Sequence, residues 1–151
     1  MSGTVVPYRA ESRATQAVGV DFDLTLVLHD QGWQDGRIYG EPIPGALEAL
    51  RALLELRAVF VVTARSREHH ANIAAWLVGH GFDAEVDDAP DRSYWTTRGR
   101  ILVTNKKLGA ACYIDDRAIE FGGDWTAALA TARHRMALTT ATATATQGEH
   151  R

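Results

Sequence analysis

Two short runs, "AVGVDF" at 17–22 and "AVFVVT" at 58–63, most constrain what this chain can fold into. Both are apolar and rich in β-branched residues, without the polar alternation of a half-exposed strand, and so read as strands buried on both faces. Between them "PGALEALRALLELR" sets Leu47, Leu50, Leu53, Leu54 and Leu56 at helical spacing, with Pro44 suited to a first turn. Strand, helix, strand in that order makes a parallel pair joined by a right-handed crossover. The alternation continues. Ser66 is placed to cap "REHHANIAAWLVGH", where Ile73, Trp76 and Leu77 share a face, His69 and His70 face solvent, and Gly79 or Gly81 ends the helix. "FDAEV" reads as a third strand, "DDAPDRSYWTTRGR" as a polar crossing, "ILV" at 101–103 as a short extra strand and "ACYI" as the next. Asp124 caps a last helix near "WTAALATARHRMAL". The expected fold is α/β, a central parallel sheet covered on both faces.

A chain of 151 residues can bury a core without disulfide or metal staples and is read as a single domain over 16–138. Residues 1–15 are unpatterned and read as a flexible segment. Residues 139–151, "TTATATATQGEHR" with Leu138 before them, read as a disordered Thr/Ala tail with no large side chain to bury. A net charge of −3 offers no general basic footprint for nucleic acid. Cys112 is the one cysteine, which excludes an internal disulfide and a Cys-based zinc site and fits a reducing cytoplasm; as a strand residue it is expected to be buried and inert. No apolar run approaches a membrane span and no secretory h-region opens the chain, so neither a membrane nor an obligate protein partner is expected.

The polar residues that close the strands carry the chemistry. In an open parallel sheet the ligand crevice lies off the carboxyl ends of the strands. Those ends are Asp21 and Asp23 after the first strand, Thr63 after the second, and Asp115 and Asp116 after "ACYI". Asp21 and Asp23 fall on one side if the chain stays extended. So many carboxylates in one crevice repel unless a cation joins them, and hard oxygen donors favour Mg²⁺ over Zn²⁺. Lys106 and Lys107 can bring positive charge to the same edge, and the Thr63 hydroxyl suits a phosphate oxygen.

"DFDLT", "VFVVT", a Lys ahead of a further strand and "YIDD", in this order, resemble the four motifs of the haloacid dehalogenase (HAD) superfamily over roughly residues 17–138. "GEPIPGALEAL", "NIAAWLVGHGFDAEV" and "YIDDRAIEFGGDW" look like a small, minimally capped subgroup of it. The resemblance implies a Rossmann-like three-layer α/β/α sandwich without a large cap domain. It implies Asp21 as the nucleophile that forms an aspartyl-phosphate, and Asp23 as the general acid and then base. Mg²⁺ would be held by the Asp21 side chain, the Asp23 backbone carbonyl and Asp115 or Asp116. Thr63 and Lys107 would bind the phosphoryl oxygens, Lys107 being preferred to Lys106 by its distance from Asp115. Leu24 departs from the Gly usual at its position, and Leu reaches positive φ at a cost.

Asp35-Gly36, flanked by Trp33, Ile38 and Tyr39, is a hairpin-turn signal and predicts a short β-flap over the crevice. Arg65 is either a second phosphate contact or a surface charge at the helix start. Trp33 and Tyr39 either stack on a base or sugar or close the flap, and Trp76 and Trp125 are core or helix-packing residues. The expected activity is a Mg²⁺-dependent phosphomonoester hydrolase whose partner is a phosphorylated small molecule or a phosphorylated nucleic-acid end. The alternatives are a non-catalytic HAD-like domain that binds metal and phosphate, and a receiver-type phosphoacceptor, which the order of the motifs disfavours.

Overall fold

The first apolar run forms β1 (Val18–Asp21) and the second β2 (Val59–Val62), parallel neighbours in the register Val18 with Val59 through Asp21 with Val62. In the computed structural model, which describes residues 16–148, three more strands complete the sheet: β3 (Asp83–Val86), β4 (Arg100–Thr104) and β5 (Cys112–Ile114). All pair in parallel in the order β3-β4-β2-β1-β5. The α/β, Rossmann-like class read from the sequence is the one observed, and "ILV" belongs to a full strand. The expected flexible segment 1–15 and residues 149–151 lie outside the described residues.

Helices α1 (Ala46–Leu56) and α2 (His70–Gly79) both cover one face. There Leu50, Ile73 and Leu77 pack on Val18, Val20, Val59, Val61, Ile101 and Val103, all buried. Side chains alternate along each strand, so Phe60 and Leu102 point to the opposite face. Within the first unit that face is closed by Trp95, from the crossing between β3 and β4, and by Leu108, from the β4–β5 connection. Two connecting segments of this unit thus contribute the side chains that bury Phe60 and Leu102. One buried aromatic in an otherwise polar crossing is enough, because its indole N–H is satisfied by the Arg100 carbonyl at 3.0 Å.

β1 sits between β2 and β5, and Gly19 is the register partner of both Phe60 and Tyr113. A Cβ here would lie 2.7 Å from Tyr113 and 2.8 Å from Phe60, so the glycine is what lets these two rings meet edge to face across β1. At the end of α2 Gly81 takes φ +92 and the Phe82 N–H closes on the Leu77 carbonyl at 3.1 Å, a left-handed helix stop. Ser66 does not cap that helix through its side chain; its hydroxyl goes to Glu68.

The chain divides into two compact units after Asp116. The second unit contains α3 (Trp125–Gly148), capped by Asp124 Oδ1, which accepts from the N–H groups of Thr126 and Ala127. This helix runs on through most of the Thr/Ala segment expected to be disordered. Alanine is the best helix former, and extending a formed helix avoids the cost of a new nucleus. In this unit Trp125 stacks on Phe121 and is exposed rather than buried. Among the described residues no helix is long and apolar enough to cross a membrane.

Candidate active site

After Asp21 the strand stops. Phe22 enters the core, and its carbonyl accepts from the N–H groups of Leu26 at 2.9 Å and of Thr25 and Val27 at 3.3 Å, turning the chain sharply. The turn requires a left-handed residue, and Leu24 supplies it at φ +62. The backbone is therefore the one a glycine would adopt, held by Leu24 N–H to the Val27 carbonyl at 2.9 Å, at a strain of about 1 kcal/mol. Because of this turn the two carboxylates do not share one set of partners, as an extended chain would have them do.

Asp21 turns toward the end of β5. One carboxylate oxygen from each of Asp21, Asp115 and Asp116 lies within 4.8 Å of the others. Thr25 ties the group together: its hydroxyl lies 3.3 Å from both Asp21 Oδ2 and Asp116 Oδ1 and accepts the Asp116 N–H at 3.2 Å. Burial pushes the Asp21 carboxyl up to about 7, helped by the hydrogen bond with Asp116 and the charges of Asp115 and Asp116, against the Phe22 N–H. Three hard-oxygen donors that repel one another in this way can hold a divalent cation, and the absence of any thiol or imidazole from the group suits Mg²⁺. The Asp23 carboxylate is not among them.

Asp23 faces Arg65. The guanidinium grips both oxygens, Nε to Oδ2 at 2.8 Å and Nη2 to Oδ1 at 2.7 Å, and its Nη1 donates to the Gly36 carbonyl at 2.9 Å. Arg65 is 6% exposed, so it is not the surface charge at the helix start that the sequence allowed. His29 Nδ1 approaches Asp23 Oδ1 at 3.4 Å, and its ring stacks on Tyr39. His70 is buried rather than solvent-facing, donating from Nε2 to the Arg65 carbonyl at 2.8 Å, and the His69 ring packs under Gly36 and edge-on to Trp33.

Asp35 and Gly36 form the expected turn, both at positive φ with Arg37 N–H on the Gln34 carbonyl. The flanking strands of the expected β-flap do not form; Val27 makes isolated bridges with Asp23 and Pro42. Side chains satisfy this backbone instead. The Tyr39 hydroxyl accepts from Gln31 N–H and donates to the Gly32 carbonyl, and Arg65 takes Gly36. Trp33 lies against Arg65 and His69, which is the loop-closing role of the two considered for it.

Thr63, buried after β2, accepts the Arg65 N–H at 3.1 Å, which leaves its hydroxyl proton for another oxygen. Thr104 repeats the arrangement at the end of β4 by accepting the Lys106 N–H at 3.1 Å. The parallel extends further. Lys106 pairs with Asp87 Oδ2 at 3.2 Å and donates to the Ala89 carbonyl, so it is not a solvated charge. Asp87 is buried, which pushes its carboxyl up, but donors from Arg92, Ala89, Thr104 and Lys106 outweigh burial and hold it at about 2. The Lys107 ammonium lies 5.0 Å over the Tyr113 ring and is exposed. Cys112 is exposed too, on the edge strand. Sequence reasoning missed Thr25, His29 and Asp87; the repeated Thr-x-basic signature, "TAR" and "TNK", was the available signal for the last.

Similarity searches add one solved structure. No family model matches the chain, and no curated protein is similar to it at a significant level. A structure described as that of a conserved protein coded by a locus from Bacteroides thetaiotaomicron is 28% identical, with a TM-score of 0.48, covering 80% of this chain and 92% of that one.

Proposed function

We propose that this chain is a Mg²⁺-dependent phosphomonoester hydrolase of the HAD type, with Asp21 as nucleophile. The observation that carries the reading is the meeting of Asp21 with Asp115 and Asp116 at adjacent strand ends, bridged by Thr25. Asp21, Asp115 and Asp116 would hold the cation, with the Asp23 backbone carbonyl as the further donor the HAD resemblance implies. When bound, it offsets the charge of an anionic nucleophile facing an anionic phosphoryl group.

An Asp21 oxygen attacks phosphorus as the bond to the leaving oxygen breaks, which gives an aspartyl-phosphate without a separate base. Asp23 gives its proton to the leaving oxygen, then takes one from the water that attacks the phosphoryl group, and phosphate leaves with Asp21 restored. Thr63, whose hydroxyl accepts from Arg65 and keeps its proton, and Lys107, with no carboxylate partner among the described residues, are the groups for the phosphoryl oxygens. Lys106 is engaged by Asp87. The 28–42 loop is too short for a separate cap domain, and Asp115 and Asp116 are exposed, which is compatible with a phosphorylated metabolite or a phosphorylated nucleic-acid end.

The Arg65 fork on Asp23 favours a second reading, in which the domain binds metal and phosphate without turnover. Hydrolysis of an aryl phosphate decides between them. The hydrolase reading predicts activity that EDTA and Asp21→Asn both abolish. Mg²⁺-dependent thermal stabilisation with no turnover on any phosphomonoester supports the second.

A further inference from the structure

Arg65 is anchored at this edge through its backbone and its side chain alike. Its N–H is held by Thr63 and its carbonyl by His70. Its guanidinium carries two hydrogen bonds to Asp23 and one to the Gly36 carbonyl, and lies 5.5 Å from the Phe22 ring centre and 5.1 Å from that of Trp33. One cation is thereby bonded to a carboxylate after β1 and to a backbone oxygen at the tip of the 28–42 loop. The loop reaches the same carboxylate a second time through His29, which Tyr39 stacks against.

This geometry is costly for a phosphate ligand and apt for a positioning one. Turning the guanidinium toward a substrate oxygen would loosen a partly buried, bidentate ion pair. Left in place, it fixes both the rotation and the tilt of the Asp23 carboxylate, since a planar fork on two oxygens allows neither. The fork does not exhaust the carboxylate. Two oxygens offer about four lone-pair positions, Arg65 uses two and His29 approaches one, so one remains for a proton.

We propose that Arg65 is a positioning residue that couples the 28–42 loop to Asp23 and fixes the orientation in which Asp23 exchanges its proton with the leaving oxygen. The inference rests on the hydrolase reading above. During phosphoryl transfer the proton moves from Asp23 to the leaving oxygen as the phosphorus–oxygen bond breaks, and Asp23 regains one from the attacking water. Arg65 keeps its charge and its place throughout.

A misdirected acid matters most where the leaving group is poor. An alkoxide needs the proton, whereas dinitrophenolate leaves without it. The test is kcat/KM of Mg²⁺-loaded full-length protein on an alkyl phosphate and on 2,4-dinitrophenyl phosphate, for wild type, Arg65→Lys, Arg65→Gln and Trp33→Ala. Arg65→Gln is expected to lose about 10²-fold or more on the alkyl ester, and within about threefold on the dinitrophenyl ester, with KM little changed. Arg65→Lys, which keeps the charge and loses the fork, is expected to show the same split. Trp33→Ala, at an exposed position that leaves the core intact, gives a weaker split of about 3–10-fold, which guards against misfolding of the Arg65 variants. Equal losses on both esters with a raised KM make Arg65 a phosphate ligand and overturn the proposal, as does an unchanged ratio in all variants. Wild-type protein inactive on both esters refutes the hydrolase reading itself and this inference with it.

Discussion

Stripping divalent cations from this protein at neutral pH should weaken its fold, and the structure fixes the direction and the pH window. Asp21 keeps its proton up to about 7, against an ordinary 3.8. An acid raised in the folded state contributes stability that is fully present below its unfolded value and is lost as pH climbs through its folded one. In EDTA the fold should therefore lose stability from about pH 4 to about pH 7. Asp21 is partly exposed, so solvent screens the shift and about 1–2 kcal/mol remains, or about 3–8 °C in Tm. The assay is thermal unfolding by circular dichroism across that window, in EDTA and in millimolar Mg²⁺, with Asp21→Asn beside wild type. Contributions shared by both proteins cancel in the comparison. Wild type in EDTA should lose Tm as pH rises, Mg²⁺ should restore it, and Asp21→Asn should lack the fall. A flat or rising wild-type curve in EDTA, or an equal fall in Asp21→Asn, refutes the reasoning.

Two further substitutions probe the frame. Gly19→Ala forces a methyl between the Tyr113 and Phe60 rings and should cost about 1–3 kcal/mol in urea unfolding; wild-type stability would contradict the packing described. Asp87→Asn removes the partner of Arg92 and Lys106 and should cost about 3 kcal/mol. Asp87 is held at about 2, so its contribution is present above about pH 4 and fades toward pH 2. The acid limb of the wild-type stability curve should accordingly shrink in this variant, and an identical limb in both proteins would count against it.

The sheet was legible because it is written in strand residues that need no distant information. "AVGVDF" and "AVFVVT" are too apolar for an edge, and β1 and β2 are indeed interior strands. The acidic ends were legible for a related reason, since in a parallel sheet strand ends share an edge whatever the intervening loops do. Asp21, Asp115 and Asp116 therefore come together as the strand positions imply. What the sequence hid was side-chain partnership across long separations. Nothing local in "TARS" says that Arg65 reaches a turn after β1, or that the 28–42 loop satisfies its backbone through Tyr39 and Arg65 instead of through a ladder. Leu24 was the opposite case. The local rule for φ marked the costly position but led to the expectation of a different backbone there, whereas the turn after Phe22 holds Leu24 at positive φ, because three amides close on one carbonyl. The Thr/Ala segment was read as a tail because it has no large side chain to bury, yet a helix begun at Trp125 runs on through alanine at little cost.

The central claim is that Asp21 becomes phosphorylated. Borohydride reduces an aspartyl-phosphate to homoserine, and peptide mass spectrometry locates the residue. Protein quenched during turnover of a phosphomonoester with Mg²⁺ should carry homoserine at position 21, with none formed when EDTA is present. Turnover without homoserine at position 21, or homoserine at any other aspartate, would contradict the account.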